Sequence, residues 1–314
     1  MKTFLDCIPC FVRQALDSVR LITDDENIHE EVLRNVLDLA GKMDLHQSPA
    51  AMGRHIHQHI RQLTGTNDPY RKIKDRFNQL ALSLLPDLKS RIQKSSTPLE
   101  TAVRLAIAGN IIDFGVTSQL DDSHVLDAIE HSVTAPLNGD IDKFSTAVRD
   151  ANRILYLADN TGEIVFDRLL LEQLPTSKIT VVVKGSPIIN DATMIDAKTT
   201  GITDIVDVID NGSDAPGTIL KTCSEPFQKR FAAADLIIAK GQGNYETLSD
   251  VNKHIFFLLK AKCSVIAEHI GCSLGSLVLL QSTYSQEHTN RQSNSEKSCM
   301  HIYASENSKQ YVTG

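Results

Sequence analysis

The sequence predicts an α/β protein in which a helical N-terminal domain packs on a Rossmann-like, mostly parallel sheet domain with flanking helices. Three observations predict it. Apolar residues recur at helical spacing almost everywhere from residue 4 to about 150. From residue 153, short apolar runs of strand length alternate with helix-length segments, the pattern of strand-crossover-strand units in a parallel sheet. Four of those runs end in polar, Gly-bearing turns. The chain is read as a helical domain over 1–150, an α/β domain over 151–280, and a tail over 281–314. That last stretch is rich in Ser, Asn, Gln and charge and too poor in large apolar residues to form a core, so it is expected to be disordered.

In the first half, Phe11, Ala15, Val19 and Leu21–Ile22 mark one helix, and Val32, Val36, Ala40 and Met43 the next. Further helices are expected over 49–64, 70–94, 98–114 and 123–133, with Gly65, Asp68-Pro69, Pro98 and Gly115 as breaks or starts. No strand is expected there. In the second half the strands are Ile154–Ala158, Ile179–Val183, Ile205–Ile209, Leu236–Ala239 and Ser264–Ala267. Crossover helices fall at about 163–174, 192–200, 217–233 and 245–260. Ligands of such sheets bind beyond the carboxyl ends of the strands, so the turns there are the place to look for chemistry.

Composition narrows the function classes. With 314 residues and 41% hydrophobic content the chain can bury a sizeable core, and a formal net charge of -7 disfavours general nucleic-acid binding. No run approaches about eighteen apolar residues, and Met1–Cys10 lacks a signal-peptide pattern, so no membrane partner and a cytoplasmic location are expected. Six cysteines at 7, 10, 223, 263, 272 and 299 are too sparse for a disulfide framework and are expected to be reduced.

The strongest local constellation is Asp159-Asn160-Thr161-Gly162-Glu163, between a strand end and a helix start. A carboxylate and an amide oxygen there suit a hard divalent cation, although a helix cap and a turn account for the same residues equally well. Asp191, at the end of Lys184–Thr193, is a second carboxylate on the same sheet edge; two carboxylates and an amide can hold one ion and leave positions for water and a phosphate oxygen. Lys184 is either a phosphate partner or, more commonly for lysine, a solvated surface residue. The loop Asp210–Thr218 combines Gly with hydroxyls before a helix, a weak anion signal. In Lys240–Glu246, after the fourth strand, Lys240, Gln242 and Asn244 would face the same cleft.

In the helical half, Asn110 and Asp113 lie three apart on one helical face, either packed or lining that cleft. Cys7 and Cys10 form a CxxC pair at a helix start, where the dipole can lower a thiol pKa; a redox role and simple packing are equally open. His55, His57 and His59 cannot share one helical face, since alternate positions diverge by about 200 degrees, and a solvated helix is expected.

Together Cys7–Cys10, Asp68-Pro69-Tyr70, Ala108–Gly115, Asp159–Glu163, Lys184–Thr193 and Lys240–Glu246 resemble the damage-control phosphatases, specifically their prokaryotic branch with an N-terminal CxxC, over nearly all of residues 1–280. The resemblance implies a cation, Mn, Co, Ni or Mg, held by Asp159, Asn160 and Asp191. It implies substrate contacts from the Gln242–Glu246 loop and from a lysine farther on, matched to Lys260 with Lys262 close by. Other branches carry Arg-Thr-x-Lys there; the Arg-Thr pair is absent here, so their substrate preference does not transfer.

The expected activity is metal-dependent hydrolysis of phosphate monoesters of small metabolites, such as sugar phosphates or damaged phosphometabolites. Asp159 and Asp191 would carry most of the metal affinity, Lys240 and Lys260 would offset phosphate charge, and Glu163 would transfer a proton. The alternative is a noncatalytic phosphometabolite-binding or redox-responsive protein. An NAD enzyme is weaker, because no G-x-G-x-x-G follows the first strand.

Overall fold

The computed structural model describes residues 1–111, 129 and 132–283. Helices α1 (Cys7–Ile22), α2 (Glu26–Lys42) and α3 (Pro49–Thr64) open the chain. Their helically spaced apolar residues, Phe11, Ala15, Val19, Val32, Val36, Met52, Ile56 and Ile60, close a core of their own. Asp25 caps α2 by accepting from the Asn27 amide, and α3 starts on Pro49 and stops at Gly65, whose φ of 63° is left-handed.

Helices α4 (Arg71–Lys94) and α5 (Pro98–Ala108) belong elsewhere. Phe77, Ala81, Leu84, Leu88 and Ile92 of α4, and Val103, Leu105 and Ile107 of α5, share one core with the sheet. The packing therefore divides between α3 and α4, well before residue 150.

The sheet has seven strands in the order β1-β7-β6-β5-β2-β3-β4: β1 (Leu137–Gly139), β2 (Ile154–Leu157), β3 (Ile179–Val183), β4 (Asp207–Asp210), β5 (Leu236–Lys240), β6 (Ile255–Lys260) and β7 (Leu277–Gln281). Every pair is parallel except β6 with β7. Around it run α6 (Ile141–Asp150), α7 (Glu163–Leu171), α8 (Met194–Thr199), α9 (Glu225–Ala233), α10 (Gly241–Leu248) and α11 (Ser264–Ile270). From β2 the chain steps outward to β3 and β4, then returns to β5 on the other side of β2, where Tyr156 pairs in register with both Val181 and Ile238. The order reverses there, so the crevice beyond the carboxyl ends of β2 and β5 is the switch point where α/β sheets bind ligands.

Several expectations need correction. Ile255–Lys260 is a strand, where the helix over 245–260 was expected; its first five residues are all buried, and a run buried on both faces has no periodicity to tell strand from helix. Ser264–Ala267 belongs to helix α11, which ends at Gly271 with φ 80°. Leu137–Gly139 is an edge strand in the half read as helical, too short for its pattern to register. β7 pairs with β6 across the position where the tail was drawn to begin. Helix α5 ends at Ala108 and gives way to a 3-10 turn over Gly109–Ile111. Residues 284–314, most of 123–133 and Asp113 lie outside the described residues.

The α3 histidines are not uniformly solvated. His57 is buried, its Nδ1 is 2.9 Å from the Tyr70 hydroxyl, and burial, with the Arg61 charge, lowers it to about 3. Among the described residues no helix is long and apolar enough to cross a membrane.

Candidate active site

The turns after β2 and β3 are stitched together by their backbones. Ala192 donates to the Asp159 carbonyl (2.8 Å), Thr161 to that of Asn190 (2.8 Å) and Lys184 to that of Ala192 (2.9 Å), and Asn160 and Asp191 form an antiparallel bridge. Asp159, Asn160 and Asp191 thus meet at one sheet edge, all buried. Ile189, in the turn delivering Asp191, takes a φ of 44°, which β-branched residues rarely adopt.

The carboxylates here are crowded. Asp159 Oδ2 accepts from Asn160 Nδ2 (3.0 Å) and Asn110 Nδ2 (3.2 Å), and Glu163 Oε2 from the same two amides (3.2 and 2.6 Å). Burial first, then the charges of Glu163 and Asp191, push the Asp159 carboxyl well above the usual range, against Lys184 and Lys262. A divalent cation would relieve that crowding, and the donors fit it: Asp159 and Asp191 offer carboxylate oxygens, while Asn160, its nitrogen engaged by carboxylates, presents its amide oxygen. Among the described residues no three His, Cys, Asp or Glu side chains form a ready site, so an ion here relies on this mixed set with water and substrate oxygens.

Lys184 is not a solvated surface lysine. It is 3% exposed, its Nζ lies 3.2 Å from Asp191 Oδ2, and it donates to the Gly217 carbonyl, tying the second turn to the third. Lys240, expected to offset phosphate charge, turns inward: its ammonium donates to the Ala106 carbonyl (2.8 Å), Glu163 Oε1 (2.7 Å) and Asp167 Oδ1 (2.5 Å). Burial alone would lower it, but Asp167 and Glu163 outweigh that and hold it above its usual value. Asp167 itself is pushed up to about 6, chiefly by burial, and accepts from the Tyr156 hydroxyl (2.7 Å). The sequence reading missed Asp167 and Tyr156; an acid four residues after Glu163 in an apolar helix was the available signal.

Asn110, from the 3-10 turn after α5, reaches the site as its amide bonds show. Asn244 does not present free donors: its Nδ2 bonds the Lys240 carbonyl (2.8 Å) and its Oδ1 accepts from Thr218 (2.7 Å), pinning the third turn to α10. Gln242 donates to Glu246 Oε1 (2.9 Å), while its buried Oε1 and the buried Thr161 hydroxyl have no partner among the described residues. Between the two candidate lysines, the charge that acts on Asp159 is that of Lys262; Lys260 ends β6 and is lowered by burial and by Lys262.

Helix α3 braces the second and third turns. Arg54 (2.5 Å), Gln58 (2.9 Å) and Arg61 (2.7 Å) grip Asp214, and Arg61 also donates to the Pro187 carbonyl (2.7 Å). Cys7 and Cys10 lie within electrostatic reach of Cys263 and Glu246, and burial raises both thiols, opposite to the lowering a helix start would bring.

The chain is similar to known proteins over most of its length. The family model described as the damage-control phosphatase ARMT1-like domain matches residues 3–278. An uncharacterized protein of Methanocaldococcus jannaschii is 40% identical over 295 residues, covering 88% of this chain and 94% of its own. A protein of Archaeoglobus fulgidus named damage-control phosphatase is 35% identical over 285 residues, 88% of this chain and 98% of that one. The crystal structure of a DUF89 family protein from Pyrococcus horikoshii superposes with a TM-score of 0.82 at 34% identity, covering 90% of this chain and 100% of that one.

Proposed function

The chain belongs to the ARMT1-like damage-control phosphatase family, and from that premise we propose that it is a metal-dependent phosphatase hydrolysing phosphate monoesters of small metabolites, such as sugar phosphates or damaged phosphometabolites. The observation that carries this reading is the stitching of the β2 and β3 turns, which sets Asp159, Asn160 and Asp191 side by side at the switch point. A divalent ion of the Mn, Co, Ni or Mg class held by these three would supply Lewis-acid polarisation of a phosphate oxygen. Lys184, buried beside Asp191, and the exposed Lys262 offset phosphate charge. Glu163, held by Asn110 and Lys240, would move a proton, and the Thr161 hydroxyl and Gln242 Oε1, without partners among the described residues, would bind substrate.

The test is a matrix of Mn, Co, Ni and Mg against a panel of sugar phosphates and other phosphomonoesters, reading released phosphate. Chelator-sensitive turnover supports the proposal. No turnover with any pair, combined with a melting shift on adding a sugar phosphate, would make the chain a phosphometabolite-binding protein instead.

A further inference from the structure

We propose that Asn78 of α4 and Asp196 of α8 form a clasp that sets the spacing of the two ligand-bearing turns and thereby the affinity for the cation; this rests on Asp159, Asn160 and Asp191 being the ligands. Asn78 Oδ1 accepts from the Gly162 amide (2.8 Å), two residues past Asn160. Its Nδ2 donates to Asp196 Oδ1 (2.9 Å). Asp196 Oδ2 accepts from the amide (2.9 Å) and hydroxyl (2.7 Å) of Thr193, two residues past Asp191. On the far side the turns are joined by the Asn160–Asp191 bridge. The hydrogen bonds therefore close a ring through both turns, and Asn78 of α4 holds it shut.

The ring is buried, and Asp196 within it faces two cations. Asn78, Asp196 and Lys74 are fully buried. Arg71 donates to Asp196 Oδ1 (2.6 Å) and also pairs with Asp75 (2.7 Å), and the Lys74 ammonium lies 3.3 Å from Asp68 and 3.8 Å from Asp196, so both cations reach Asp196. Burial would raise the Asp196 carboxyl; the Arg71 hydrogen bond, the Lys74 charge and the Thr193 amide outweigh it and hold it below the usual range. An ionised Asp196 accepts strongly from Thr193 and Asn78 together. Groups that orient metal ligands in this way typically change affinity 10–100-fold when removed. The clasp gives the Asp68-Pro69-Tyr70 segment a role as well, because Asp68 holds the lysine that balances Asp196.

The test compares Asn78→Ala with Phe77→Leu, a buried core change at the neighbouring position of the same helix. Mn2+ binding by isothermal titration should weaken about 10–100-fold in Asn78→Ala and stay near wild type in Phe77→Leu, even where their melting temperatures fall alike. In the metal-free proteins, amide exchange at both Gly162 and Thr193 should quicken in Asn78→Ala only. Unchanged Mn2+ affinity in Asn78→Ala, or equal weakening in Phe77→Leu, overturns the clasp. Should Asn78→Ala fail to fold, Asn78→Ser carries the same readouts. A wild-type protein that binds none of Mn, Co, Ni and Mg, yet shows the exchange pattern, sinks the ligand assignment and with it the inferred link to affinity.

Discussion

Gly241 packs directly beneath Asp159: a Cβ built on it would overlap the Asp159 carboxylate, and its φ of 78° is one that side chains rarely adopt. The first residue of α10 thus carries no side chain because the candidate metal ligand occupies the space. Gly241→Ala should cost about 1–2 kcal/mol in backbone conformation and must displace Asp159. We expect cation affinity and turnover to fall at least about tenfold with the fold retained, read by metal titration beside circular dichroism. Wild-type affinity in this variant would show that Asp159 does not need its present position.

Asp159 sits buried next to the charges of Glu163 and Asp191. Removing its charge while keeping its shape should therefore relieve the metal-free protein and disable the loaded one. For Asp159→Asn, thermal denaturation with chelator present should give a melting temperature at or above that of wild type at pH 7, while phosphate release drops by about two orders of magnitude or more. Undiminished turnover would remove Asp159 from the mechanism.

Much of this site is legible in the sequence because its parts are local. Asp159-Asn160 and Asp191 follow apolar runs of strand length bounded by turn residues, and Rossmann-like alternation places such turns on one edge. The bracing is not legible, because it joins distant elements: Asn78 meets Gly162, Lys240 meets Glu163 and Asp167, and Arg61 meets Asp214 and Pro187. Each looks alone like a polar residue on a helix or strand end, and only tertiary packing buries it. Lys184 misleads for the same reason, since lysine is normally solvated and nothing nearby in sequence announces its pairing with Asp191. Ile255–Leu259 misleads because burial on both faces erases the strand period.

Glu246 gives a pH signature away from the metal ligands. Burial pushes its carboxyl up to about 7 from the usual 4.5, against the hydrogen bond from Gln242. An acid raised on folding favours its protonated form in the native state, so its contribution is fully present below pH 4.5 and is lost as pH climbs through 7. Glu246→Gln should match wild-type stability at about pH 4.5 and exceed it by up to about 3 kcal/mol above pH 7. Denaturant melts at several pH values measure this; a difference independent of pH would show that Glu246 titrates as an exposed acid does.

Lys240 separates a positioning role from phosphate binding. Its ammonium donates to the Ala106 carbonyl, Glu163 and Asp167, so its three N–H groups are satisfied within the protein. Lys240→Met leaves two buried carboxylates without their cation, a loss of about 3–5 kcal/mol. If that is the cause, adding Glu163→Gln and Asp167→Asn to the same protein removes the unpaired charges and should restore most of the stability, because a neutral buried set costs far less than an uncompensated one. Turnover should stay low in the triple variant, since Glu163 is gone. Lys184→Met should raise KM for the phosphomonoester as well as cost stability, since Lys184 is itself buried beside Asp191. A Lys240→Met protein of wild-type stability with only KM raised would instead put the Lys240 ammonium on the substrate.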